Sequence, residues 1–212
     1  MQPGLFEQRP LHFDSFESLL AAMVDLTDDP LAAAGTTMVI YRGNPEARLM
    51  IIGEAPGPQE NLLGKPFVGK SGQLLDQILQ AAGFDPEEDV LITNAVYRMP
   101  PGDGDKAFRK PTTEEIEAYK PYLMEMIRLI DPVVILLSGN VATQSLLGQT
   151  GITRLRGNWH QWQDRWVMPI YHPAYLLRNP SRDPGSPKAQ MWQDIQDVRR
   201  VYDEVVGDAT RS

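Results

Sequence analysis

Leu49-Met50-Ile51-Ile52-Gly53-Glu54-Ala55-Pro56-Gly57 is the stretch on which the reading of this chain turns. An apolar run of strand length stops at a Gly/Pro loop that carries one carboxylate, Glu54. Two other segments repeat the arrangement: Val90-Leu91-Ile92-Thr93 ends in Asn94, and Val167-Met168-Pro169-Ile170-Tyr171 ends in His172-Pro173-Ala174-Tyr175. In an open parallel α/β sheet, ligands bind beyond the carboxyl ends of the strands, so the three loops are expected to converge on one pocket. A carboxylate, an amide and an imidazole then line a single cleft.

Outward from these strands the periodicity becomes helical. Phe16, Leu19, Leu20, Met23 and Val24 form an apolar stripe over 14–27, with Asp14 and Glu17 at capping-box spacing. A helix from about Ser71 to Ala82 carries Leu74, Leu75, Ile78 and Leu79 and stops at Gly83. Another runs from about Thr113 to Ile130, opened by Thr112 with Glu115 three positions on. Val133-Val134-Ile135-Leu136-Leu137 is near-continuously apolar, as strands covered on both faces are, and leads into Ser138-Gly139-Asn140 and a short helix to Leu147. The Trp-rich stretch 158–166 leads to the last strand, with His160 as a structural or edge-strand residue. A Pro/Gly/Ser/Arg loop then reaches Pro187, and a closing helix runs to about Val206. Residues 56–63 read as loop. The alternation predicts one α/β domain over 1–212, with its core at about 30–205. The expected form is three-layer α/β/α with a central, mainly parallel four-stranded sheet.

Composition narrows the function. The 212 residues are 42% apolar and 23% charged, ordinary for a globular protein, and no apolar run approaches the length of a membrane span. The start of the chain lacks the basic and apolar regions of a secretory signal, so a cytoplasmic location is expected. With no cysteine there are no disulfides, no thiolate nucleophile and no thiolate ligands for iron–sulfur or zinc. Histidines occur only at 12, 160 and 172, too scattered for a histidine metal cluster. A net charge of −8 argues against a protein that coats nucleic acid, but not against one that grips a few phosphates locally.

Gly64-Lys65-Pro66-Phe67-Val68-Gly69-Lys70-Ser71 matches the written phosphate-loop pattern. That chemistry needs a strand ending at the first glycine, whereas the strand here ends at Gly53. The better reading is a loop leading into a helix whose start, near Ser71 and Gly72, meets one backbone phosphate of a nucleic acid. A nucleotide hydrolase built on 64–71 is the lesser alternative.

Taken together, Gly53 to Gly57, the 64–72 loop with Phe67, Asn94, Ser138-Gly139-Asn140 and His172 to Arg178 resemble family 4 of the uracil-DNA glycosylases, in unbroken order from about Pro30 to Val201. The resemblance implies hydrolysis of the N-glycosidic bond of deoxyuridine in DNA, releasing free uracil and leaving an abasic site. It also implies a monomer acting on uracil opposite guanine or in single strands. Such an enzyme must draw the base out of the stack into a snug pocket. Gly53, Ala55, Phe67 and Asn94 are then substrate-binding. Phe67 offers an aromatic face, and Asn94 donates to O4 and accepts from N3–H, a pattern cytosine does not offer. Glu54 and His172 are catalytic. His172 stabilises the anion of the departing base, and Glu54 orients water or stabilises the cationic sugar. Lys70, Ser71, Ser138 and Arg109 are expected at DNA phosphates, with help from Arg182, Lys188, Lys106 and Lys110; Leu176, Leu177 and Arg178 are expected as wedges. Each has a plainer reading: Glu54 as a turn cap, Asn94 as an Asx turn, His172 and Phe67 as core, the leucines as a buried loop. Glu60 is open between a site acid and a solvated charge.

The chain departs from the family pattern in three places. Family 4 enzymes typically hold a four-iron, four-sulfur cluster on four cysteines, and Leu26 or a neighbour, Asp29, Arg98 and Tyr119 stand at the matching positions. No cofactor and no metal are therefore expected. Asn61 stands where an aspartate is common. The 105–110 insertion contains no histidine and Ala55 follows Glu54, so covalent trapping of the kind seen in a uracil-crosslinking branch is not expected. A catalytically silent DNA-binding relative is the alternative from another class.

Overall fold

The computed structural model describes residues 11–102 and 107–209. Its centre is a sheet of six strands: β1 (Tyr41–Gly43), β2 (Leu49–Gly53), β3 (Val90–Asn94), β4 (Val134–Ser138), β5 (His160–Trp162) and β6 (Arg165–Ile170), in the order β1-β3-β2-β4-β6-β5. The four strands expected from sequence are the parallel core β3-β2-β4-β6. The expectation of four is corrected by two three-residue edge strands, β1 antiparallel to β3 and β5 antiparallel to β6. Three residues are too few to show a period, which is why only His160 hinted at an edge.

Helices cover both faces. In chain order they are α1 (Phe16–Val24), α2 (Pro58–Leu63), α3 (Lys70–Ala81), α4 (Thr113–Ile130), α5 (Asn140–Leu147), α6 (Ile152–Leu155), α7 (Pro173–Arg178) and α8 (Pro187–Ala209). Because side chains alternate along a strand, Met50, Ile52, Leu91, Ile135, Leu137 and Val167 point to one face. There they pack with α1, α4 and α5 through Leu19, Met23, Leu123, Met126 and Leu146. Leu49, Ile51, Val90, Ile92, Val134, Leu136, Met168 and Ile170 meet Leu75 and Leu79 of α3, Leu176 of α7 and Met191 and Ile195 of α8. This is the expected three-layer α/β/α arrangement.

Three local readings change. The first helix is shorter than 14–27, and its cap is reciprocal bonding between Ser15 and Ser18 rather than Asp14 and Glu17. Within 56–63, Pro58–Leu63 is a helix, and within the stretch after His172 so is Pro173–Arg178. Both begin with proline at the first helical position, where its missing N–H costs nothing.

The residues expected at the cluster-cysteine positions bind one another. Arg98 Nε donates to Asp29 Oδ2 at 2.9 Å, and its Nη2 donates to the Leu26 carbonyl at 2.9 Å. Arg98 Nη1 donates to the Thr36 carbonyl, and the Tyr119 hydroxyl donates to Asp29 Oδ1. A guanidinium, a carboxylate and a phenol already joined to each other do not fit a thiolate-held cluster. They tie the segment around 26–36 to the loop after β3 and to α4. Asn61 adds a further tie, its Oδ1 accepting the Thr37 N–H at 2.8 Å.

The Asp29 side chain is 2% exposed and that of Arg98 13%. Removing one partner of such a pair leaves a buried charge uncompensated, so Arg98→Met is expected to cost about 3–5 kcal/mol in urea unfolding. Arg98→Met combined with Asp29→Leu is expected to cost less than Arg98→Met alone. Equal stability of parent and Arg98→Met would show that the network carries no load.

Candidate active site

Gly53 and Asn94 lie opposite each other at the ends of β2 and β3. Both continue the rows Leu49-Ile51 and Val90-Ile92 on the face covered by α3. A Cβ added at Gly53 would sit 2.4 Å from Asn94 Oδ1 and 2.4 Å from Phe67 Cε2. Those two groups therefore occupy the space that a side chain at 53 would need. Phe67 reaches it from the loop before α3 with φ +53°, an uncommon conformation for a bulky residue. The backbone of α3 presses on the same point, since a Cβ on Gly72 would fall 1.8 Å from the Phe67 carbonyl oxygen.

His172 caps α7. Its Nδ1 accepts the Ala174 N–H at 3.1 Å, so the neutral ring carries its proton on Nε2. The imidazole lies offset against Phe67, with ring centroids 5.7 Å apart and planes 28° apart. Burial pushes the His172 pKa down to about 4, assisted by the cations Arg178 and Lys110 and opposed by Glu60. Burial likewise raises Glu54 above the usual carboxylate range, with Lys110 acting against it. Asn94 is 2% exposed, and its amide makes no hydrogen bond to any described residue.

Glu54, Ala55, Phe67, Asn94 and His172 line one cavity of about 500 Å³, with Ser71 and Arg178 at its walls. The residues singled out at the ends of β2, β3 and β6 thus share a cleft. Glu60 lines the same cavity and is not a solvated charge. It is buried, its Oε1 accepting the Val68 and Gly69 N–H groups at 3.0 and 2.8 Å and its Oε2 that of Gly57 at 3.2 Å. This also answers the phosphate-loop pattern, because Gly64 follows α2 rather than a strand and two of the loop amides already hold an internal carboxylate.

Several expected DNA contacts are corrected. Ser138 is wholly buried because it continues the Val134-Leu136 row into the core, and its hydroxyl has no partner there. Leu176 is wholly buried on the inner side of α7, whereas Leu177 is 44% exposed. Arg109 is turned inward and bonds both oxygens of Glu115, at 2.8 and 2.6 Å. Lys70 is exposed at the start of α3, and Lys106 lies outside the described residues. Phe108, which no motif singled out, lines the cavity beside Lys110, and Ile152 and Thr153 of α6 line it from another side. Asn140 places α6, its Oδ1 accepting the Gly151 and Ile152 N–H groups at 2.9 Å each. Among the described residues no group of three or more acidic or histidine side chains is arranged to hold a metal ion, and no helix is long and apolar enough to cross a membrane.

Residues 40–196 match the family model of the uracil DNA glycosylase superfamily. The chain is 38% identical over 157 residues to a type-4 uracil-DNA glycosylase of Thermotoga maritima, covering 73% of this chain and 79% of the relative. It is 35% identical over 177 residues to the type-4 enzyme of Archaeoglobus fulgidus, covering 79% and 85%. A type-5 uracil-DNA glycosylase of Thermus thermophilus is 32% identical over 149 residues, 64% of each chain. The chain belongs to the uracil DNA glycosylase superfamily.

The state of His172 has a direct test. Nitrogen NMR is expected to show it neutral, with Nε2 protonated, down to about pH 4. An unfolded histidine takes its proton near pH 6.5, so this residue makes the fold lose stability as pH falls from about 6.5 to 4. His172→Gln is expected to flatten that part of the stability profile. A His172 that titrates near 6.5 would contradict the buried, neutral assignment.

Proposed function

We propose that the protein excises uracil from DNA by hydrolysing its N-glycosidic bond. The observation that carries the reading is the cavity behind Gly53, where a buried amide with no partner among the described residues, an imidazole protonated at Nε2 and a half-buried acid converge. Uracil presents an acceptor at O4, a donor at N3 and an acceptor at O2. The Asn94 amide answers the first two and His172 Nε2–H the third. Phe67 supplies the apolar surface on which the extruded ring rests.

As the bond from C1′ to N1 breaks, its electron pair leaves with the base and spreads onto O2. A neutral donor at O2 stabilises that charge more as it develops, which favours the transition state over the bound substrate. The sugar becomes cationic, and ionised Glu54 stabilises it or orients the water that adds to C1′; the proton lost by that water balances the charge on the released uracil. Raised by burial, Glu54 sets the acid limb of activity, above the range in which His172 takes up a proton. Ser71 and Arg178, which line the cavity, and exposed Lys70 and Leu177 are the groups proposed to meet the DNA backbone and the gap left by the base. The reading takes the enzyme as a cytoplasmic monomer that needs no cofactor.

Asn94→Ala and His172→Ala are each expected to lower kcat for uracil release from a deoxyuridine oligonucleotide by about 10²–10³-fold, measured as alkali-labile abasic sites. Glu54→Gln is expected to lower kcat and to move the acid limb down to the range in which His172 takes up a proton, about pH 4. If Asn94→Ala and His172→Ala both cleave like the parent, the site is elsewhere.

A further inference from the structure

One wall of the cavity comes from a segment to which no contact with a base has been given so far. After β3 the chain runs out and returns alongside itself: Pro101 and Phe108 form an antiparallel bridge, and the Arg109 N–H donates to the Pro100 carbonyl at 3.2 Å. The returning limb alternates as extended backbone does. Arg109 turns inward, where Glu115 holds its guanidinium; Glu115 Oε2 also accepts the Thr112 N–H at 2.8 Å, so the limb is pegged to the start of α4. Phe108 and Lys110, on either side of that peg, both line the cavity.

Phe108 is 50% exposed, and Tyr175, another cavity-lining ring, is 38% exposed. Lys110 and Arg178 line the same cavity, in a chain whose net charge is −8. Exposed aromatic faces set among cations are the means by which proteins hold unpaired nucleic acid: bases stack on the rings while the cations follow the phosphates. A base in an unpaired strand has its face free, whereas in a duplex the neighbours must first be unstacked.

We propose that the limb 107–110 is a strand-binding element in which Phe108 stacks on the base next to the extruded uracil, favouring uracil in unpaired DNA. The proposal deepens the glycosylase reading and rests on it for the identity of the extruded base. Arg109 is a positioning residue in this arrangement, since it holds the limb and does not itself face the cavity.

The test compares uracil release from a single-stranded oligonucleotide and from its duplex by the parent, Phe108→Ala, Phe108→Leu and Phe108→Trp. The loss of one stacked base predicts that Phe108→Ala raises KM on the single strand about tenfold, with a much smaller change in kcat and in the duplex KM. Phe108→Leu, apolar but not flat, is expected to behave like the alanine variant, and Phe108→Trp like the parent. An unchanged single-strand KM in Phe108→Ala, or an equal rise on both substrates, overturns the proposal. If the parent releases no uracil, the glycosylase reading fails by itself. Anisotropy of a labelled single strand then decides the stacking: about tenfold weaker binding by Phe108→Ala upholds it, and equal binding overturns it.

Discussion

The missing side chain at Gly53 makes room for the two groups around which the cavity is built. Asn94 Oδ1 and Phe67 Cε2 fill the place of a Cβ there, each within 2.4 Å of it. Three features must agree for this to happen. Parallel pairing sets Gly53 level with Asn94. Strand alternation sends position 94 to the face covered by α3 rather than the face covered by α4. The loop before α3 then brings Phe67 back over the end of β2, and the three amides held by Glu60 keep that loop in place. A one-residue slip in β3 would turn Asn94 to the opposite face and leave Thr93 or Ala95 at the cavity floor.

Burial then sets the charges. Withdrawing His172 from water keeps it neutral, and the cations Arg178 and Lys110 act in the same direction. Withdrawing Glu54 makes it harder to ionise, and Lys110 opposes that. One lysine thus favours both the neutral imidazole and the ionised acid, the combination needed where negative charge grows on a base and positive charge on a sugar. An acidic chain can still address DNA, because both cations line the cavity and affinity follows the phosphates contacted rather than the net charge.

Much of this was legible in the sequence. The four parallel strands announce themselves as apolar runs, and the loops at their carboxyl ends carry the acid, the amide and the imidazole. What was not legible depends on contacts across the fold. β1 and β5 are too short to show a pattern, and α2 and α7 are single short stretches opened by proline. The pairing of Arg109 with Glu115 was hidden because Glu115 already had a role as a capping residue, and no motif marks Phe108 as a lining residue of the cavity. Leu176 and Leu177 are neighbours on a helix, and only the packing of α7 on the sheet decides which one is buried.

Asp29, Arg98 and Tyr119 give the same region of the fold a different kind of cross-link. Charge-assisted hydrogen bonds join the segment before β1 to α4 where relatives of family 4 typically use a metal cluster, so this chain keeps the framework under its cleft with oxygen and nitrogen groups alone. The central claim, that the cleft recognises uracil edge-on, is tested most directly by a crystal structure of the protein with free uracil. The account predicts the ring in the cavity behind Gly53, its O4 and N3 on the Asn94 amide, its O2 on His172 Nε2 and its face against Phe67. Uracil bound elsewhere, or in that cavity with Asn94 and His172 both turned away from it, would contradict the account.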